Sequence, residues 1–223
     1  MFDSIAGSYD FLNHALSFNI DKIWRKRLIR HIRKYSPKKI LDVATGTGDL
    51  ALAALKLNPD MITGVDIANG MLDIGREKIL ACGEQERVSL IEGDSENLPF
   101  MVGEFDAVTV AFGVRNFEDP QKGLNEMSRV LKSGGVVAVL EFTMPTHFPI
   151  RPIYRLYFKR ILPLVGKIIS RDFSAYRYLP ESVEAFAQRE EFTSMMETAG
   201  FEKIGFKSQS FGIAALYYGI KKQ

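Results

Sequence analysis

The sequence predicts a doubly wound α/β domain on a mostly parallel sheet, and three observations carry the prediction. Short, largely apolar runs such as Ile40–Val43, Met61–Asp66 and valine-rich Val136–Phe142 alternate with helical patterns. Runs of this kind suit strands covered on both faces. A glycine turn, Ala44-Thr-Gly-Thr-Gly48, follows the first run and opens directly into a helical pattern starting at Asp49. With 223 residues and 46% apolar content, the chain can bury a sizeable core as one domain. Its expected parts are an N-terminal helical cap (1–36), a ligand-binding core (37–143), a helical insertion (144–183) and a closing helix with two strands (184–223).

In chain order, residues 2–18 read as a packing arm of one or two short helices. Ile20, Trp24 and Leu28 then recur every four residues, which predicts an amphipathic helix over 20–34 with a dense basic side. After the first strand, Asp49 starts a helix carrying Leu50, Leu52 and Leu55. Asn58-Pro-Asp60 marks a loop, and Met61–Asp66 is the second strand. A helix over 71–81 and a strand over 88–91 lead to Gly93-Asp-Ser-Glu-Asn-Leu-Pro-Phe100. Phe105–Ala111 is the fourth strand, and Asp119 with Pro120 reads as the N-cap and first position of a helix to Leu131. Lys132-Ser-Gly-Gly135 is a turn before the fifth strand over 136–142. Five prolines between 145 and 180 break the rhythm, and a helix over 184–199 with Gly200 past its end precedes strands near 203–210 and 214–220.

This order places candidate binding residues on one edge. Gly46 and Gly48 free the backbone to approach a ligand, as does the loose Gly-x-Gly-x-x-Gly/Ala dinucleotide pattern, so the loop alone leaves two nucleotide cofactors open. Asp66 stands eighteen residues after Gly48, close to the spacing at which an acid at the tip of a second strand meets a ribose diol. Asp94 falls at the end of the third strand, on the same edge.

Composition narrows the function classes. Cys82 is the only cysteine and the histidines stand apart at 14, 31 and 147, so neither an internal disulfide nor a protein-held metal site is expected. A signal peptide and a membrane-spanning run are not expected either, and the chain reads as cytoplasmic. The formal net charge of +2 is unevenly spread: residues 21–39 carry nine Lys or Arg against one Asp, and residues 142–171 carry six against none. Basic patches on an acidic body suit anionic surfaces.

The residues 41–49 (Leu-Asp-Val-Ala-Thr-Gly-Thr-Gly-Asp), Gly-Val-Asp66, the 93–100 segment and Arg-Val-Leu-Lys-Ser-Gly-Gly (129–135) resemble motifs of class I S-adenosylmethionine-dependent methyltransferases. More narrowly, the chain resembles the UbiE/MenG family of quinone C-methyltransferases. The residues carrying that likeness are Phe-Asp-Ser-Ile-Ala (2–6), Tyr9-Asp10, Ala-Phe-Gly-Val-Arg-Asn-Phe (111–117), Leu-Glu-Phe (140–142), Ala-Tyr-Arg-Tyr-Leu-Pro-Glu-Ser (175–182) and Phe-Gly-Ile-Ala (211–214). The departures are few: Ala111 and Ser133 stand where members often carry serine and proline. The family usually has a short additional stretch before Phe2, so an incomplete lid over the cofactor is expected.

The resemblance implies a seven-stranded Rossmann-like sheet with an antiparallel last hairpin, and S-adenosyl-L-methionine as cofactor. Carried over by position, its cofactor contacts fall on Thr47, Asp66, Asp94 and Ser95. Amides around Gly46, Thr47 and Gly48 would receive the methionine carboxylate, Asp66 the ribose hydroxyls, and Asp94 with Ser95 the adenine. Asp42 would either brace the loop or reach the methionine ammonium. The implied reaction is methylation of a quinol ring carbon made nucleophilic by loss of a phenol proton. Arg115 and Asn116 are expected to hold the developing phenolate, with Arg115 itself staying protonated. Tyr9, Tyr176 and Tyr178 are further acceptor-side candidates.

An isoprenoid quinol needs an apolar path, and segment 148–171 combines Phe, Tyr, Ile and Leu with six bases, a composition for the interface of an anionic membrane. A homodimer surface is the alternative use of that segment. The demethylmenaquinol branch is preferred from overall resemblance, with the ubiquinone-precursor benzoquinol as the alternative acceptor. A nicotinamide oxidoreductase lacks a catalytic set, since the Tyr-x-x-x-Lys spacings, Tyr35 to Lys39, Tyr217 to Lys221 and Tyr218 to Lys222, stand before the first strand or at the C-terminal end. A nucleic-acid methyltransferase lacks an Asn-Pro-Pro-Tyr-like clamp after the fourth strand, so no nucleic-acid partner is expected.

Overall fold

The computed structural model describes residues 19–156 and 174–223. In chain order the elements are α1 (Ile20–Ile32), β1 (Lys39–Val43), α2 (Asp49–Ala54), β2 (Met61–Asp66), α3 (Asn69–Cys82), β3 (Val88–Glu92), β4 (Phe105–Ala111), α4 (Pro120–Val130), β5 (Leu131–Phe142), α5 (Ile150–Leu156), α6 (Ser174–Ala185), α7 (Glu190–Thr198), β6 (Phe201–Gln209) and β7 (Ala214–Lys221). The seven strands form one sheet in the order β3-β2-β1-β4-β5-β7-β6. Strands β1 to β5 pair in parallel, and β7 runs antiparallel to both β5 and β6.

Two apolar layers hold the sheet. On one face, Trp24, Leu28 and Ile32 of α1 join Leu50 of α2 and Leu72 and Ile79 of α3 over Ile40 and Ile62. The four-residue spacing seen in the sequence is therefore the buried stripe of α1. Trp24 sets its ring against Phe112 and Phe142, at 6.1 and 6.0 Å between centroids, and donates from Nε1 to Ser210 Oγ at 2.9 Å. On the other face, Leu124 and Met127 of α4 and Phe192 and Met196 of α7 cover Leu41, Val108 and Val137. Asp119 caps α4, its side chain accepting from the Gln121 and Lys122 amides.

Besides shifts of one or two residues at other element ends, three departures from expectation stand out. The helix expected over 184–199 is two helices: α6 contains Pro180 and ends at Ala185, and α7 begins at Glu190. Arg189 at φ 55° and ψ −116° makes the break, with its amide donating to Tyr217 Oη at 2.8 Å. Strand β5 begins at Leu131, which pairs with Phe105 before the register shifts and resumes at Ala107 and Val136. The expected 132–135 turn survives as an irregularity inside that strand. Finally, α1 ends at Ile32 and tightens into a 3₁₀ turn over Arg33–Tyr35. The 2–18 arm lies outside the described residues.

Candidate active site

The strand order reverses between β1 and β4, where the first crossovers leave in opposite directions and open a crevice at the carboxyl ends. A cavity of about 380 Å³ occupies that crevice. Gly46 after β1, Asp66 at the tip of β2, Asp94 and Ser95 after β3, and Asn116 after β4 all line it. The parallel sheet thus brings together residues spread over seventy positions of sequence.

Local backbone chemistry fixes each group. Gly46 and Gly48 adopt φ values of 56° and 78°, the left-handed region that favours glycine. The Gly46 amide donates to Asp66 Oδ2 at 2.8 Å and the Ala68 amide to Oδ1 at 2.9 Å, so the Asp66 carboxylate is aimed before any ligand arrives. A carboxylate oxygen can accept more than one hydrogen bond, which contact with a diol requires. Asp94 Oδ1 accepts from the Glu96 amide at 2.8 Å, which sets that acid at the opening of its loop. Gly113 allows the loops after β1 and β4 to touch: a Cβ there would lie 2.4 Å from Ala44 Cβ. Ala44 and Phe112, at φ 51° and 62°, flank the crevice in the left-handed region, where non-glycine residues are strained.

A smaller chamber of about 30 Å³ adjoins the cavity and shares Ala44, Gly46, Ala111 and Phe112 with it. Asp42 and Thr47 line this chamber, whereas Gly48 lies outside both linings. Thr47 Oγ1 accepts from Lys78 Nζ at 2.9 Å, and Lys78 also pairs with Asp49 at 2.8 Å, tying the loop to α3. The Gly48 amide donates to the Thr45 carbonyl at 3.0 Å. Two of the amides expected to receive a carboxylate are therefore used inside the protein.

Asp42 is 1% exposed, and its two oxygens accept from Thr45 Oγ1 at 2.7 Å and Thr109 Oγ1 at 2.9 Å. This is the geometry of a brace between β1, its loop and β4. Burial pushes its carboxyl up to about 6, against the pull of the two hydroxyls and of Arg25. An acid whose native pKa is raised retains its proton in the folded state while the unfolded chain loses it, so stability falls as pH rises from about 4 to about 6. Asp42→Asn is expected to leave the ligand-free melting temperature near pH 4 unchanged and to raise it above pH 6. Two pKa units set a ceiling of about 3 kcal/mol on that gain. A melting curve series showing the same shift at both pH values would contradict this account.

Arg115 and Asn116 sit on a 3₁₀ turn over Val114–Asn116 but face different spaces. Asn116 lines the main cavity, while Arg115 borders an open recess of about 530 Å³ with Pro120, Glu181, Ser182 and Phe186. The Arg115 guanidinium donates from Nη1 to Glu141 Oε1 and to the Phe112 carbonyl, both at 2.6 Å, and lies 5.4 Å from the Phe142 ring centroid. Glu141 is fully buried, and Arg115 Nε is buried with no hydrogen-bond partner. Tyr9 and the side chains of Tyr176 and Tyr178 lie outside the described residues.

Reading the sequence missed Phe112, which walls both chambers, and Arg25 of α1, which reaches the smaller one. Charge alone marks Arg25 as one base on a basic helix. Its position immediately after Trp24, the buried residue of that turn, was the available signal. Among the described residues no group of three or more His, Cys, Asp or Glu could hold a metal ion.

The residues present fit S-adenosylmethionine: acids for a ribose and an adenine in a nucleoside-sized cavity, and buried polar groups in an adjoining small chamber for an amino-acid end. The model of the ubiE/COQ5 methyltransferase family matches residues 1–221. A demethylmenaquinone methyltransferase of Thermus thermophilus is 48% identical over 220 residues, 98% of this chain and 99% of that relative. One from Bacteroides fragilis is 46% identical over 222 residues, covering 99% and 91%. A ubiquinone/menaquinone biosynthesis C-methyltransferase UbiE of Geobacter sulfurreducens is 44% identical over 223 residues, covering 99% and 87%. Among solved structures, an S-adenosylmethionine-dependent methyltransferase fold from Methanococcus maripaludis superposes with a TM-score of 0.69 at 18% identity, over 99% of this chain and 94% of that one. The protein is an S-adenosylmethionine-dependent methyltransferase, and its chain belongs to the ubiE/COQ5 family.

Proposed function

We propose that the protein methylates a ring carbon of demethylmenaquinol, the last step of menaquinone formation. The observation that carries this reading is the 46–48% identity, over nearly the whole chain, to two relatives named demethylmenaquinone methyltransferase. When bound, S-adenosylmethionine supplies an electrophilic methyl group. The protein's own part is to position and to stabilise charge. Asp66 holds the ribose, Asp94 and Ser95 the adenine, and the 44–48 loop, with Thr47 tied to Lys78, fixes the approach of the donor's other end. Asn116 contacts the acceptor from the wall of the main cavity. Arg115, anchored by Glu141 at the edge of the neighbouring recess, supplies the developing phenolate with a guanidinium that stays protonated.

The benzoquinol precursor of ubiquinone is the second reading, because the Geobacter relative's name carries both quinones. Labelled methyl transfer to reduced demethylmenaquinone analogues and to benzoquinol analogues separates the two. We expect transfer to the naphthoquinol; transfer only to the benzoquinol selects the second reading, and transfer to neither overturns both.

For the tail, we propose peripheral docking on an anionic membrane from the cytoplasmic side. Phe148 and Phe211 are 88% and 78% exposed, and Ile153 and Leu156 are also open to solvent beside exposed Arg151. The Phe211 loop is tied to the start of this segment, since Thr143 Oγ1 donates to the Gly212 carbonyl at 2.8 Å. Residues 157–171 lie outside the described residues. No helix among the described residues is long and apolar enough to cross a membrane. Flotation with anionic liposomes at low salt should carry the protein upward, and neutralising Arg151, Arg155, Lys159 and Arg160 should abolish it. Flotation that survives that change removes the proposal.

A further inference from the structure

The small chamber beside the main cavity holds one charged side chain, Arg25, that lies outside the family motifs. Its lining holds two acids, buried Asp42 and half-buried Asp49, and one half-buried base, Arg25, with Gly46, Thr47 and Phe112. A cavity needs roughly 10–15 Å³ of such space for one water, so about 30 Å³ admits a group the size of a carboxylate and excludes a nucleoside.

Arg25 enters this chamber from α1. Its side chain is 12% exposed, and its guanidinium carbon stands 5.5 Å from the Phe112 ring centroid. Asp21, one turn earlier on the helix, pairs with Nη1, and Asp49 lies 3.8 Å from the same nitrogen. These contacts orient the fork but do not saturate it: Arg25 Nε is buried with no hydrogen-bond partner. A buried donor of a charged group is ordinarily satisfied, so this guanidinium, which lines the chamber, has donor capacity that its internal partners do not use.

Two of the three loop amides expected to take a carboxylate are engaged. Gly46 N–H is committed to Asp66, Gly48 N–H to the Thr45 carbonyl, and the Thr47 hydroxyl accepts from Lys78. If ribose and adenine occupy the main cavity between Asp66 and Asp94, the amino-acid end of the same molecule is directed across the shared wall of Ala44, Gly46 and Phe112 into the small chamber. A carboxylate there completes an Arg fork that already rests on an aromatic ring, the kind of site for which guanidinium is suited and ammonium is not.

We propose that Arg25 is a cofactor-binding residue that takes the α-carboxylate of the methyl donor, so that the N-terminal helix closes the amino-acid end of the site. The proposal rests on the cofactor and is independent of which quinol is methylated.

The test is calorimetric binding to the full chain of two ligands that differ in one group: S-adenosylhomocysteine, and S-adenosyl-3-thiopropylamine, which retains the ammonium and lacks only the carboxylate. Wild-type protein should prefer S-adenosylhomocysteine by at least tenfold, the effect of about one charge-assisted hydrogen bond. In Arg25→Gln the preference should collapse to within about twofold. Because that change strands Asp21, the variant Asp21→Asn/Arg25→Gln is measured beside it and should behave alike. A preference that persists in the variants, or affinities for both ligands that fall together, overturns the proposal. Wild-type protein that binds neither ligand would instead refute the cofactor itself, a separate outcome.

Discussion

Arg115→Ala is expected to lower turnover by about 100-fold or more while S-adenosylhomocysteine affinity changes less than about threefold, because losing one donor to a developing oxyanion costs about 10²–10³ in rate. Steady-state methyl transfer and calorimetry on the same preparation check the two halves. The same substitution strips fully buried Glu141 of its cation, and removing one partner of a buried pair costs about 3–5 kcal/mol. A fall in melting temperature is therefore expected as well, and turnover must be compared well below it. Arg115→Lys separates the effects, since an ammonium still pairs with Glu141 but lacks the planar guanidinium fork. We expect Arg115→Lys to recover most of the stability and little of the turnover. If it recovers turnover in full, Arg115 is a brace for Glu141 and takes no part in the chemistry.

Asp66→Ala is expected to weaken S-adenosylhomocysteine binding by at least about 100-fold, since two hydrogen bonds to an ionised group contribute about 1.5–3 kcal/mol each. The loss has two sources in this structure. One is direct, the missing acceptors for the ribose diol. The other is through the loop, because the Gly46 and Ala68 amides lose the carboxylate that aims them. Asp66→Asn retains one acceptor oxygen for one amide and presents an NH₂ group to the other, so it should recover only part of the affinity. Binding within threefold of wild type for Asp66→Ala would remove Asp66 from the ribose site.

Much of the fold was legible because its determinants are local. Met61–Asp66 and Phe105–Ala111 are strands with the expected bounds, since short apolar runs between breakers have little else to become. Asp119 before Pro120 specifies its own cap through a side chain that reaches only two and three residues onward. The break between α6 and α7 was not legible in the same way. Arg189 adopts its strained backbone because Tyr217, a residue of β7, accepts its amide, and that partner is distant in sequence.

The site divides along the same line. The sequence by itself determined which residues stand at the carboxyl ends of β1 to β4, because strand and helix alternate with one handedness, Asp66 ends its strand and Asp94 follows the next one closely. It also determined the family, whose motifs run through nearly the whole chain. Only the tertiary structure decided how those groups are used. It spent the Gly46 and Gly48 amides on internal partners, buried Asp42 between two threonines, lodged Arg115 against Glu141 and turned Arg25 inward beside the glycine loop. Apart from the short contacts of Thr45 with Asp42 and Gly48, these join elements far apart in the chain, so spacing carries no record of them.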